Sequence, residues 1–302
     1  MLYNNEAIIL SGSYVMSKGK FRKISTCLMV SAILLTMLAS CDSEPDDTPF
    51  SIVNVSTITT SSETTESATA GIPDKVIATG IEAVTFDENV KQIKVYLDDR
   101  EIDGMLYLPE GTGPFPVCFI VQGLAAPYDG YIDIAEAMAA NGIAACLIDF
   151  EAEDGEYSYT REAVDLMAMF DGVTSLPYIY CRNTFFWGHS YGGLVVTYAG
   201  CQYYSYFPEK FKGLILAEPS FDHSKDIYDK MPAFGGKVYM LAGDAQGSIG
   251  RDNPDSLSMA QEAFSDVEFH IVEGENHYFN GAHRDFMIQM SIDFIKKNME
   301  QN

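Results

Sequence analysis

The chain of 302 residues is 47% hydrophobic and 21% charged, which supplies a sizeable core and is ordinary for one large globular domain. Its formal net charge of −24 favours solubility and disfavours nucleic acid and anionic membrane surfaces as partners. Six cysteines with no C-x-x-C pair, and no histidine at ligand spacing, argue against a zinc site, and no metal or organic cofactor is expected. The start of the chain is not part of the domain. Lys18, Lys20, Arg22 and Lys23 precede an apolar run from Ile24 to Leu38, which predicts a signal peptide over residues 1–40. The run falls short of the roughly 20 apolar residues that a spanning helix needs. Met16, just before the basic region, is the expected start of translation, so residues 1–15 would not be made.

Leu38-Ala39-Ser40-Cys41 resembles a bacterial lipobox, which implies cleavage before Cys41, lipidation of that cysteine and a membrane partnership through the lipid. Asp42, Glu44, Asp46 and Asp47 resemble the acidic export signal of Bacteroides-type surface lipoproteins; the alternative is a solvated leader. The expected location is therefore the bacterial outer membrane, with exposure at its surface. Residues 41–74, in which Thr57 to Ala70 read TITTSSETTESATA, hold few large apolar side chains and are expected to be a flexible tether. A coil of that length spans on the order of 30 Å.

The folded domain is expected over residues 75–302. Val90 to Leu97 and Glu101 to Leu108 alternate polar and apolar residues around Asp98-Asp99, which predicts an antiparallel hairpin. Short apolar runs follow at Val117 to Val121, Ile143 to Ile148, Thr184 to Trp187, Leu214 to Ala217, Val238 to Ala242 and Val267 to Val272. Helices are expected at Ile132 to Ala140, Thr160 to Phe170, Ser190 to Tyr203, Asp255 to Phe264 and Asp285 to Asn298. Strands alternating with helices imply an α/β fold, a mostly parallel, doubly wound sheet covered on both faces. Cys118, Cys146, Cys181 and Cys201 fall in or beside these elements; buried free thiols are expected, with a disulfide as the alternative in an exported protein.

Trp187-Gly188-His189-Ser190-Tyr191-Gly192-Gly193 is a G-x-S-x-G run between an apolar strand and a small-residue helix, the pattern of a nucleophile elbow. A serine on a strained turn needs glycines two residues to either side so that neighbouring backbones pass without Cβ clashes. Ser190 is the expected nucleophile.

The order of elements, the elbow and a downstream histidine together resemble an α/β hydrolase over roughly residues 90–300. Gly113-Pro114-Phe115-Pro116-Val117 and Val272-Glu273-Gly274-Glu275-Asn276-His277 are similar to the dienelactone hydrolase, cinnamoyl esterase and cutinase-like group. The resemblance implies His277, in the loop after the last strand, as the base, with His283 as runner-up. His189 is the elbow's variable position, His270 falls inside a strand, and His223 has no motif around it. It implies backbone N–H groups of Leu124 and Tyr191 as the oxyanion hole; Gln122-Gly123 stands where many relatives have His-Gly, and because the donor is main chain the change need not disable it. The acid departs from the family. Gly243-Asp244-Ala245-Gln246 places Gln246 where the carboxylate of G-x-x-D would stand, so Asp244 is the first candidate, with Glu218, Asp252 or no acid at all as the alternatives. Tyr128 and Tyr131 could stack on an aryl or sugar group, and the acidic run Glu151 to Glu156 could repel anionic substrates or be a solvated loop. The short connection from Ala217 to Val238 leaves no room for a large lid. The reading is a serine esterase acting on small or short-chain carboxylic esters. The rivals are a peptidase or amidase using the same residues, and a degenerate hydrolase serving as a binding lipoprotein, suggested by Gln122 and Gln246.

Overall fold

The computed structural model describes residues 75–150, 156–224 and 226–300. The expected signal peptide (1–40), Cys41, the tether (41–74) and most of the acidic run at 151–156 lie outside the described residues.

Nine strands form one sheet: β1 (Gly80–Asp87), β2 (Val90–Tyr96), β3 (Glu101–Tyr107), β4 (Phe115–Val121), β5 (Ala144–Asp149), β6 (Ile179–His189), β7 (Phe211–Ala217), β8 (Lys237–Gly243) and β9 (Val267–Val272). Their spatial order is β1-β2-β3-β5-β4-β6-β7-β8-β9. The pairs from β1 to β5 are antiparallel, and those from β5 through β4 to β9 are parallel. The expected hairpin is β2-β3, and β1 extends it. This edge strand was not anticipated, because Val84 and Phe86 stay exposed and it buries neither face.

The helices are α1 (Ile132–Ala140), α2 (Tyr159–Thr174), α3 (Tyr191–Tyr203), α4 (Ile227–Lys230), α5 (Ile249–Asp252), α6 (Pro254–Ala263) and α7 (Ala282–Asn298). The single-turn α4 and α5 lack the length for an apolar period and were not expected. Strand parity sorts the core into two layers. Val117, Phe119, Val121, Leu214, Leu216, Val238 and Met240 pack with α2, α3 and α6, while Cys118, Ile120, Trp187, Ile215, Tyr239 and Leu241 pack with α1 and α7. Both faces are covered, which is why the central strands read as unbroken apolar runs. Cys118, Cys146 and Cys201 are buried free thiols. Among the described residues no helix is long and apolar enough to cross a membrane.

The parallel strands β4, β6, β7, β8 and β9 all end on the same edge of the sheet. The loops following those ends converge, and this is where an open α/β sheet places its ligands.

Candidate active site

Ser190 occupies the one-residue turn between β6 and α3 with φ 55° and ψ −120°, a region that a side-chain-bearing residue enters at a cost of about 1–3 kcal/mol. The surroundings hold it there. Its N–H donates to Ala217 O at 3.0 Å, and its carbonyl accepts from Gly193 N at 2.9 Å and Ser220 N at 3.0 Å. The glycines are dictated by crowding: a Cβ on Gly188 would lie 2.4 Å from Gly192 O, and one on Gly192 would lie 2.4 Å from both Val121 O and Gln122 O. Gly192→Ala is therefore expected to destabilise the fold by about 2 kcal/mol or more, because rigid backbone on β4 must move. Thermal unfolding with and without the substitution checks this.

His277 lies in the loop after β9. Its Nε2 accepts from Ser190 Oγ at 2.8 Å, and its Nδ1 faces Glu218 Oε2 at 3.4 Å. A carboxylate can only accept, so the imidazole proton sits on Nδ1 and leaves Nε2 bare toward the serine. Glu218 follows β7 directly, has φ 49°, and is fully buried. Gly243 N–H donates to its Oε1, and Ile249 N–H donates to Oε2 at 2.5 Å. These two amides replace the water that burial removes from the carboxylate.

The geometry singles out a different carboxylate from the first candidate, Asp244. Asp244 Oδ1 accepts from Gly274 N at 2.6 Å, and Asp252 Oδ2 accepts from Gly247 N at 3.0 Å, so each closes its own loop instead of meeting the imidazole. After Gly243 the chain crosses toward β9, with Ala245 N–H on Glu275 O at 2.9 Å, which directs the Asp244 side chain to the Gly274 turn. Gln246 is exposed. Of the three carboxylates considered from the sequence, only Glu218 stands against His277.

The loop after β4 passes beside the serine: a Cβ on Gly123 would lie 3.5 Å from Ser190 Cβ. Leu124 follows in that loop, and Tyr191 is the first residue of α3, whose amide lies ahead of the helix's own hydrogen-bond ladder at its positive end. Neither amide is bonded to another group among the described residues. Leu124 and Tyr191 line a small pocket with Phe150, Tyr157 and Glu162. Glu162 is buried on α2, and burial, with Asp165 nearby, pushes its carboxyl up to about 7. Leu124 and Tyr157 keep large exposed apolar surfaces at this pocket, and the exposed Tyr278 ring lies edge-on to His277.

The other expectations fare unevenly. Tyr131 is buried and hydrogen-bonded inside, so it is not offered for stacking; Tyr128 is half-buried. His283 pairs with Glu275 through Nδ1, His270 stands beside Phe286, and the exposed His223 lies edge-on to the Tyr191 ring at 5.4 Å. His189, set aside in the sequence as a variable position, is buried and bonded on both ring nitrogens. Strand parity could have found it. Phe185, Trp187 and His189 share one face of β6, the face that Tyr131 covers.

Comparison with known proteins agrees with this architecture. The profile of the Hydrolase_4 family, serine aminopeptidase S33, matches residues 112–268. Est1E from Butyrivibrio proteoclasticus is similar in structure at 15% identity, with 68% of this chain and 98% of that chain covered and a TM-score of 0.58. A dienelactone hydrolase from Anabaena variabilis aligns at 16% identity over 70% of this chain and 100% of its own, also with a TM-score of 0.58. An acetyl xylan esterase from a Paenibacillus species aligns at 15% identity, covering 72% of this chain and 88% of its own, again with a TM-score of 0.58. At these identities the likeness establishes a shared fold. No curated protein matches the chain by sequence.

Proposed function

Because the chain belongs to the Hydrolase_4 family, serine aminopeptidase S33, and is thus an α/β serine hydrolase, we propose that it cleaves small carboxylic esters through Ser190, His277 and Glu218. The observation that carries this reading is Ser190 Oγ, on a strained elbow, 2.8 Å from the bare Nε2 of His277.

A serine hydroxyl is a weak nucleophile until a base takes its proton. In the proposed reaction Ser190 Oγ attacks the acyl carbon while His277 Nε2 receives the hydroxyl proton. The imidazolium so formed carries its second proton on Nδ1, facing Glu218, and the carboxylate stabilises that charge. The 3.4 Å separation tightens as the charge develops. The Leu124 and Tyr191 N–H groups receive the oxyanion. His277 then protonates the leaving alcohol, and a water activated by the same Nε2 releases the acid from Ser190.

Short esters are favoured by the small pocket beside Leu124 and Tyr191 and by the brief β7-β8 connection, whose helical elements are the four-residue α4 and one 3-10 turn. A structural neighbour described as an acetyl xylan esterase supports this choice. Hydrolysis of p-nitrophenyl esters is expected to fall from acetyl to decanoyl. The family description favours the rival, an aminopeptidase, so aminoacyl p-nitroanilides belong in the same panel. Faster anilide than ester cleavage would replace the esterase reading, and a preference for decanoate would count against a small acyl site.

Export and anchoring rest on the residues around Cys41. The lipobox and the Ser/Thr-rich stretch after it support a lipoprotein held at the outer membrane and displayed at its surface. Cys41→Ala is expected to move the protein from the membrane to the soluble fraction. Equal retention of parent and variant would show that lipidation at Cys41 is not the anchor.

A further inference from the structure

Three loops must keep their relative places for the proposed reaction: the oxyanion loop after β4, the elbow after β6 and the His277 loop after β9. One chain of hydrogen bonds joins all three. Gly123 N–H donates to Tyr131 Oη at 3.0 Å, Tyr131 Oη and His189 Nδ1 are 2.9 Å apart, and His189 Nε2 and the backbone carbonyl of His277 are 2.7 Å apart.

The direction of each bond is forced. A carbonyl only accepts, so His189 carries its proton on Nε2 and gives it to His277 O. Nδ1 is then bare and takes the Tyr131 hydroxyl proton, which leaves a lone pair on the tyrosine oxygen for Gly123 N–H. All four polar groups are satisfied in a site where an orphan would be costly.

We propose that Tyr131 and His189 act as a positioning strut, fixing the Gly123-Leu124 peptide and the His277 main chain at the separation that the Ser190 reaction needs. The strut is braced from outside. The Arg284 guanidinium lies 5.9 Å from the Tyr131 ring centroid and donates to Asp133 Oδ1 at 2.6 Å and Gly130 O at 2.7 Å. Tyr131 also packs edge-on to Trp187 at 5.9 Å, and the His189 and His277 rings lie 5.0 Å apart. The charged or titratable groups facing His189 are thus Tyr131, His277 and Arg284. Burial, together with the repulsive charges of His277 and Arg284, holds the His189 imidazole down at about 4 against the pull of the His277 carbonyl. The strut keeps one proton arrangement while His277 takes up and gives back a proton in each turnover of the proposed reaction.

The assignment of a role in catalysis rests on Ser190 being the nucleophile, so the test pairs kinetics with two readouts that need no activity. Tyr131→Phe removes one oxygen and is expected to lower kcat about tenfold, with KM within about twofold, because transition-state alignment is lost and ground-state binding is not. Amide exchange at Gly123 should accelerate by about tenfold or more in the same variant. His189→Leu should lose activity similarly, and His189→Gln, whose amide can accept from Tyr131 and donate to His277 O, should recover most of it. The double variant Tyr131→Phe/His189→Leu should cost little more than either change alone. In the unsubstituted protein, long-range ¹H–¹⁵N spectra should show His189 with the proton on Nε2 at every value from about pH 5 to pH 8. A His189 that titrates near about 6.5, or a Tyr131→Phe variant with parental kcat and parental Gly123 exchange, would overturn the strut. If the parent cleaves no ester or anilide the catalytic reading fails, while the Gly123 exchange and the His189 spectrum still decide whether the strut exists.

Discussion

Ser190→Ala and His277→Ala are each expected to abolish ester turnover, with kcat falling by about 10⁴-fold to 10⁶-fold. The losses should not add. Ser190 Oγ and His277 Nε2 share one hydrogen bond and act in one step of the proposed reaction, so once either is gone the other has nothing to activate or be activated by. Both variants should keep the parental melting temperature within a few degrees, since neither side chain fills the core. Ser190→Ala even removes nothing from the elbow's own support, which is main chain to main chain. Rates of the two single variants and the double variant on p-nitrophenyl acetate, read beside thermal unfolding, check the prediction.

Glu218→Gln should lower kcat by about 10³-fold to 10⁴-fold with KM nearly unchanged. An amide in that place offers no negative charge to the imidazolium, and if its NH₂ faces His277 it holds the ring in the wrong tautomer. The substitution should also destabilise the fold by about 1–3 kcal/mol, because the Gly243 and Ile249 amides both donate to Glu218, and an amide oxygen can meet only one of them well. Asp244→Asn is the contrast. Asp244 accepts from Gly274 N and touches no part of the imidazole, so its loss should leave kcat within about threefold of the parent. Strong loss in Asp244→Asn with Glu218→Gln near parental would reverse the assignment made from the geometry.

What the sequence disclosed and what it hid divides along the range of the signal. The elbow is local. Gly188, Ser190 and Gly192 sit between a strand run and a helix run, and the crowding that demands them arises from the same turn and its neighbour β4. The central strands are buried on both faces and announce themselves as apolar runs, and the family resemblance points to His277 in the loop after the last of them. The acid had no such local mark. Glu218 is a lone carboxylate after Leu214 to Ala217, and its meeting with His277 depends on two loops 59 residues apart in sequence arriving at the same edge of the sheet. Asp244 drew attention because it lies near the family's motif position, yet its carboxylate is taken up by the Gly274 turn. The edge strand β1 escaped for the opposite reason, since a strand that buries neither face leaves no alternation to read.

The central claim, that Ser190 is a nucleophile activated by His277, is tested most directly by a fluorophosphonate probe followed by peptide mass spectrometry. The expected result is one rapid covalent adduct on Ser190, slowed by about 10³-fold or more in His277→Ala and absent in Ser190→Ala. An unlabelled parent, or an adduct at another residue that survives Ser190→Ala, would contradict the account.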